Sequence, residues 1–379
     1  MAGLYLHIPF CKQACHYCDF HFSTNQSHKN DLCKSIAKEI EQQKNYLPNN
    51  NLTSIYFGGG TPSLLSSEEL TVLIEAVRQN FDTTPSAEIT LEGNPDDLTK
   101  EKLKVLNEAG VNRLSIGIQS FNDSVLKFLN RAHNAGSAFS CLEDARTLGF
   151  NNISLDLIYA IPGQGQDAWK KNIQTAIDLA PEHLSAYSLT IEEKTTFGNW
   201  QRKGKLIQVD EETAAANFEL LIAMLTEAGY EHYEVSNFCK PGYYSKHNSS
   251  YWKQENYLGV GPSAHSYNGE SRQHNISSNA SYQKSLAELK VPYEIEMLTT
   301  ENKINEFIFT TLRTHWGCDL RKLKDKLDYD LLHTNSDYIQ NLVDRQLASL
   351  DQNVLRLTSK GMLLADKIAS DFFVEAIKK

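Results

Sequence analysis

From its start to about residue 190 the chain alternates two hydrophobic periods. Short β-rich apolar runs at 4–8, 52–57, 88–91, 113–118, 153–159 and 183–190 predict six strands. Segments of helical spacing lie between them. Residues 31–45 carry Leu32, Ile36 and Ile40, and Ser66 with Glu69 forms a capping box ahead of Leu70, Leu73, Ile74 and Val77. The helix at 100–109 stops at Gly110, and 168–179 leads into the sixth strand. Such alternation implies parallel strands joined by right-handed crossovers, either as an incomplete barrel or as an open doubly wound sheet. Both architectures place functional loops at the carboxyl ends of the strands.

The pattern then changes. Residues 211–228 predict a strong helix and 230–238 a strand, and an aromatic, glycine-rich, helix-poor stretch follows. From Glu301 a helix, two further helical runs, a short strand at 354–357 and a last helix read as a small α-rich module of winged-helix type. The expected organisation is therefore α/β, with an α/β unit at 1–238, a connecting region at 239–298 and a terminal module at 299–379.

Composition narrows the class. With 41% apolar and 22% charged residues over 379 positions, the chain can bury a substantial core. A net charge of −10 without a basic run argues against nucleic acid as principal partner. No apolar run approaches the ~20 residues of a membrane helix, and the start lacks signal-peptide features, so a cytoplasmic protein is expected. Of seven cysteines, Cys33, Cys141, Cys239 and Cys318 are scattered, as buried structural cysteines usually are.

The other three are Cys11, Cys15 and Cys18, directly after the first strand. Three soft thiolates within eight residues can reach one metal centre, and Phe20 stands where a fourth would follow. An iron–sulfur cube on three cysteines keeps one iron open. The alternative is zinc, completed by His7, His16 or His21. Further polar residues collect at strand ends: the Gly58-Gly59-Gly60-Thr61-Pro62 turn, Glu92, Gln119 and Asp156. Gly163-x-Gly165-x-x-Ala168, with Glu182 beyond it, imitates a dinucleotide fingerprint but follows the fifth strand, and reads as a turn. In the aromatic stretch, His247-Asn248-x-x-Tyr251-Trp252 and His265 are histidines that could ligate haem iron, although a histidine in such a loop is more often structural.

The cysteine spacing at the top of a first barrel strand, with Tyr17 beside the last cysteine, resembles the radical S-adenosylmethionine (SAM) superfamily. The resemblance implies an incomplete (β/α)6 barrel and a [4Fe–4S] cluster on Cys11, Cys15 and Cys18. Its open iron would be chelated by the amino and carboxylate groups of SAM. Within the superfamily nearly the whole chain resembles the coproporphyrinogen III dehydrogenases and their relatives. That implies SAM contacts at Tyr5, Tyr17, Gly59, Gly60, Thr61, Glu92, Gln119, Arg131, Asp156 and Tyr187. The dehydrogenases carry a fourth cysteine where this chain has Phe20, and an extension ahead of the first strand. The haem chaperones of the HemW type carry Phe there, and the His-Asn-x-x-Tyr-Trp pattern resembles their haem motif, which implies His247 as haem ligand. A chaperone that passes haem to client haem proteins, respiratory ones among them, is thus expected, and a homodimer is compatible with it. Oxidative decarboxylation of coproporphyrinogen III is the alternative.

Overall fold

A computed structural model describes residues 2–375. Six parallel strands form its centre: β1 (Ala2–Ile8), β2 (Asn51–Gly59), β3 (Asp82–Gly93), β4 (Arg113–Gln119), β5 (Ile153–Tyr159) and β6 (His183–Ser188). They lie side by side in chain order. A doubly wound sheet reverses its order midway, so strict sequential order with right-handed crossovers identifies the singly wound, barrel-type arrangement. The barrel does not close, because β1 and β6 take other strands as outer neighbours.

The expected local signals act as their chemistry dictates. Ser66 and Glu69 form a complete capping box, and Gly110 ends its helix in the left-handed conformation at φ 97°. Strand β4 shows how the core and the site divide one element between them. Leu114, Ile116 and Ile118 are fully buried on the helix-covered face, while Arg113, Ser115, Gly117 and Gln119 alternate toward the barrel interior.

Three regions differ from the expectation. The strand expected at 230–238 is a hairpin, β7 (Glu231–Glu234) and β8 (Asn237–Cys239), which pairs antiparallel with β6. The stretch expected to be helix-poor contains the helix Lys246–Trp252 and is followed by a second helix, Asn279–Ala287. It also extends the barrel sheet through β9 (Asn256–Val260), β10 (His265–Tyr267), β11 (Ser271–Asn275) and β12 (Tyr293–Met297). Strand β9 runs parallel to β1 and the others antiparallel, so one sheet of twelve strands spans both regions. These added strands are short and mostly polar, which hides them from a periodicity argument.

The end of the chain begins with helix Thr300–Leu312 and wraps a small sheet of β13 (Cys318–Asp319), β14 (Ala348–Asp351) and β15 (Val354–Leu357) in helices. Three strands stand where one was expected. Arg313 lies 5.5 Å over the Trp252 ring and the Val235 N–H donates to the Arg313 carbonyl, which joins this module to the barrel. Among the described residues no helix is long and apolar enough to cross a membrane.

Candidate functional site

The loop after β1 is closed at its base by hydrogen bonds from Cys11 N to Ser23 O (3.0 Å) and from Ser23 N to Pro9 O (2.9 Å). Its far side rests on a separate apolar cluster: the His16 ring packs 4.9 Å from Trp200, and Nδ1 pairs with the Phe128 carbonyl at 2.9 Å. Lys12 ties the loop to Asp96 and Asp97 beyond β3. Gly60 explains the glycine turn. A Cβ there would stand 2.6 Å from the Phe10 carbonyl oxygen, so the turn is glycine first to let the cysteine loop lie against it.

Each thiol faces at least one hydrogen-bond donor. Thr61 Oγ1 donates to Cys11 Sγ at 3.5 Å, Arg131 Nη1 to Cys15 Sγ at 3.4 Å, and the Phe20 N–H to Cys18. Burial pushes the Cys18 thiol up to about 11 and raises Cys11 as well, so these groups become thiolates only when metal replaces the proton. Among the described residues no three His, Cys, Asp or Glu side chains could hold one metal ion. His7 has both ring nitrogens engaged by protein partners, whereas His16 and His21 each engage one. The donor set fits a polynuclear cluster better than the zinc alternative, because a cube keeps its ligands further apart than one ion does.

At the carboxyl ends of the barrel strands lies a polar cavity of about 570 Å³. Tyr17, Gly60, Thr61, Glu92, Gln119, Arg131, Asp156 and Tyr187 all line it. Glu92 accepts from Tyr56 Oη at 2.7 Å and from Gly59 N at 3.2 Å, and burial pushes its carboxyl up to about 7. Asp156 is pushed up to about 6, also by burial. Arg131 is half-buried and donates through Nη2 to the Gly117 carbonyl at 2.7 Å and through Nη1 to Cys15 Sγ, which holds its guanidinium against the cysteine loop. Gln119 holds φ at +62°, a conformation uncommon for a non-glycine residue and typical of functional strand ends. Gly59 stands behind the cavity wall as a donor to Glu92, and Tyr5 faces the opposite side of the loop.

Sequence reasoning missed Asn94 and Arg113. Asn94 accepts from Arg131 at the cavity wall. Arg113 is 1% exposed, and its Nε and Nη1 have no partner. The alternation that carries Gln119 inward carries Arg113 too, and that period was the available signal.

A second cavity, about 560 Å³, lies on the other side of the loop. Its lining is rich in aromatic rings, Tyr5, Phe20, Tyr251, Trp252, Tyr257 and Tyr267, with His7, His21, His265 and Arg272 among them and the acidic Asp19 and Glu255 at its wall. Asp19 and Phe20 line both cavities. So does the helix Lys246–Trp252, which presents Asn248 to the polar cavity and Tyr251 and Trp252 to the aromatic one. His247 sits between them, 1% exposed. Its Nδ1 pairs with Ser54 Oγ at 2.9 Å and its Nε2 with Tyr251 Oη at 2.8 Å, and burial lowers its pKa to about 3. In this conformation the expected haem ligand has no free ring nitrogen.

Comparison with known proteins gives a consistent picture. The family model of the radical SAM superfamily matches residues 5–176, and that of the HemN C-terminal domain matches 298–364. The chain is 37% identical over 378 residues to a protein of Bacillus subtilis called heme chaperone HemW, covering 99% of this chain and 100% of that one. It is 36% identical to a Lactococcus lactis protein of the same name, over 98% and 97% of the two chains. In fold it matches the coproporphyrinogen III oxidase (HemN) of Escherichia coli, a radical SAM enzyme, with a TM-score of 0.85 at 24% identity, covering 98% of this chain and 90% of that one.

Proposed function

The chain belongs to the HemW family of heme chaperones within the radical SAM superfamily, and from that premise we propose that it binds haem and passes it to acceptor haem proteins. Cys11, Cys15 and Cys18 would hold a [4Fe–4S] cluster, and the polar cavity would hold an exchangeable SAM on its open iron. The support is the chemistry of the donors: three thiols, each with a hydrogen-bond donor, beside a cavity lined by half-buried carboxylates and by the guanidinium groups of Arg113 and Arg131. When bound, such a cluster supplies one-electron chemistry. The residues around it do the positioning. Thr61, Arg131 and the Phe20 N–H neutralise thiolate charge, and the Trp200–Phe128 cluster shields the loop from water. Glu92, ionised, would accept from the ammonium of SAM, with Gln119, Asp156 and Tyr187 lining the rest of the same cavity. Tyr5 and Gly59 would act from behind the wall, through their contacts with His7 and Glu92.

The observation that carries the chaperone reading is the aromatic cavity beside the cluster loop. A flat apolar macrocycle needs aromatic faces and a nitrogen ligand, and that cavity offers both. Titrating the anaerobically reconstituted protein with haemin, then adding apomyoglobin as a probe acceptor, tests it. The expected result is one haem bound per chain and its delivery to the acceptor. No saturable haemin uptake would overturn the reading. Incubation with coproporphyrinogen III, SAM and a reductant is expected to give no decarboxylated product, and its formation would favour the dehydrogenase instead.

A further inference from the structure

The aromatic cavity contains a histidine for which the fold has no use. His265 stands on β10, its ring stacked 5.5 Å from that of His274 on β11. Among the described residues nothing hydrogen-bonds to either of its ring nitrogens, and the side chain is exposed at the cavity. The neighbouring histidines differ. His7 pairs with Tyr5 Oη and the His21 carbonyl, both at 3.1 Å, and His21 pairs through Nε2 with Asn279 at 2.8 Å. His247 has both nitrogens engaged.

An imidazole that ligates iron must be neutral and must offer a lone pair to open space. His265 meets both conditions. Partial burial, and then the proximity of His274 and Arg272, lowers its pKa, which favours the neutral ring. Phe20, 75% exposed, extends an aromatic face into the same space, where it fills no core. Arg272 is the one Lys or Arg among the described residues lining the cavity. Glu306 fixes its guanidinium through two hydrogen bonds of 2.8 Å, and the group lies 5.1 Å over the Tyr267 ring, so a cationic group is held in place at this wall of the cavity.

We propose that this cavity is the haem site, that His265 supplies an axial nitrogen to the iron, and that Phe20 covers one face of the macrocycle. The proposal rests on the haem-chaperone reading above. It moves the ligand from the expected His247 to the histidine whose geometry is open, and gives Arg272 the propionate end.

Absorbance titration of the full-length reconstituted protein with haemin tests it, using wild type, His265→Ala and His247→Ala, with circular dichroism to establish folding. Wild type is expected to give a saturable, histidine-ligated Soret spectrum. His265→Ala should stay folded, weaken haemin binding by about ten-fold or more and lose the histidine-ligated spectrum, which added imidazole restores. His247→Ala should lower thermal stability, because it strands Ser54 and Tyr251, and its folded fraction should keep the wild-type haem spectrum. Unchanged affinity and spectrum in His265→Ala would overturn the proposal. So would a folded His247→Ala that has lost the spectrum. Failure of wild type itself to take up haemin would instead remove the chaperone reading, and this site with it.

Discussion

The two cavities flanking the cysteine loop have nearly equal volumes, about 570 and 560 Å³, and different linings. The polar one sits inside the barrel and is lined by Glu92, Asp156, Arg113 and Arg131. The aromatic one lies where β1 meets the added strands β9 to β11, and its single cation is held by Glu306. The difference follows from which elements build each wall. Parallel barrel strands direct every second side chain inward, so a few polar residues there create a charged, largely enclosed site. The added antiparallel strands are partly exposed, so tyrosines and histidines can line a groove open to solvent. A short strip, Asp19–Phe20, belongs to both, and one helix, Lys246–Trp252, gives Asn248 to the first and Tyr251 and Trp252 to the second. Two ligands of different chemistry can therefore be neighbours without sharing a site.

Replacing Cys15 with Ala should have the largest effect and should fall on one side only. Iron and acid-labile sulfide in anaerobically purified protein should drop to near background, since two thiolates cannot retain the cluster, while haemin uptake persists. Loss of both would merge the cavities into one functional unit. Gly60→Ala should destabilise the protein by about 1–3 kcal/mol, because its Cβ meets the Phe10 backbone and neither chain can yield cheaply. Chemical denaturation would measure this, and a change within error would show that the loop does not depend on that close approach.

The polar side should also respond to pH. Glu92 must be ionised to accept from an ammonium, and its carboxyl stands at about 7 instead of the ordinary 4.5. SAM affinity, measured by calorimetry, should rise with pH through that region, and Glu92→Gln should remove the dependence. Without SAM the sign reverses. Between 4.5 and about 7 the folded chain holds a proton that the unfolded chain has lost, so stability falls as pH rises through the window. Haemin binding should not follow the Glu92 profile. Phe20→Ala should be the mildest change. An exposed side chain contributes within about 0.5 kcal/mol to stability, so the melting temperature should hold while haemin binding weakens about two- to ten-fold through lost aromatic contact.

Much of this arrangement was legible in the sequence because parallel strands buried on both faces read as apolar runs, and their ends are marked by cysteines, glycines and acids. The six strands and the polar cavity's lining came from that pattern and from the family resemblance it invited. The rest depended on distant partners. Ser54, which occupies a ring nitrogen of His247, lies 193 residues away in sequence. A motif shows that a histidine is present but not that its nitrogens are already used. Strands β9 to β12 were hidden by their shortness and polarity, and the aromatic cavity with them. Phe20 was visible as a departure from a four-cysteine pattern, yet its place on the wall between two cavities required the fold.

The measurement that bears most directly on the two-cavity account is haemin binding to the reconstituted protein at increasing SAM concentration. The account predicts that one haem still binds per chain at saturating SAM, with SAM retained, because the ligands lie on opposite sides of Phe20. Displacement of haem in proportion to SAM would mean that both compete for one site, and would contradict it.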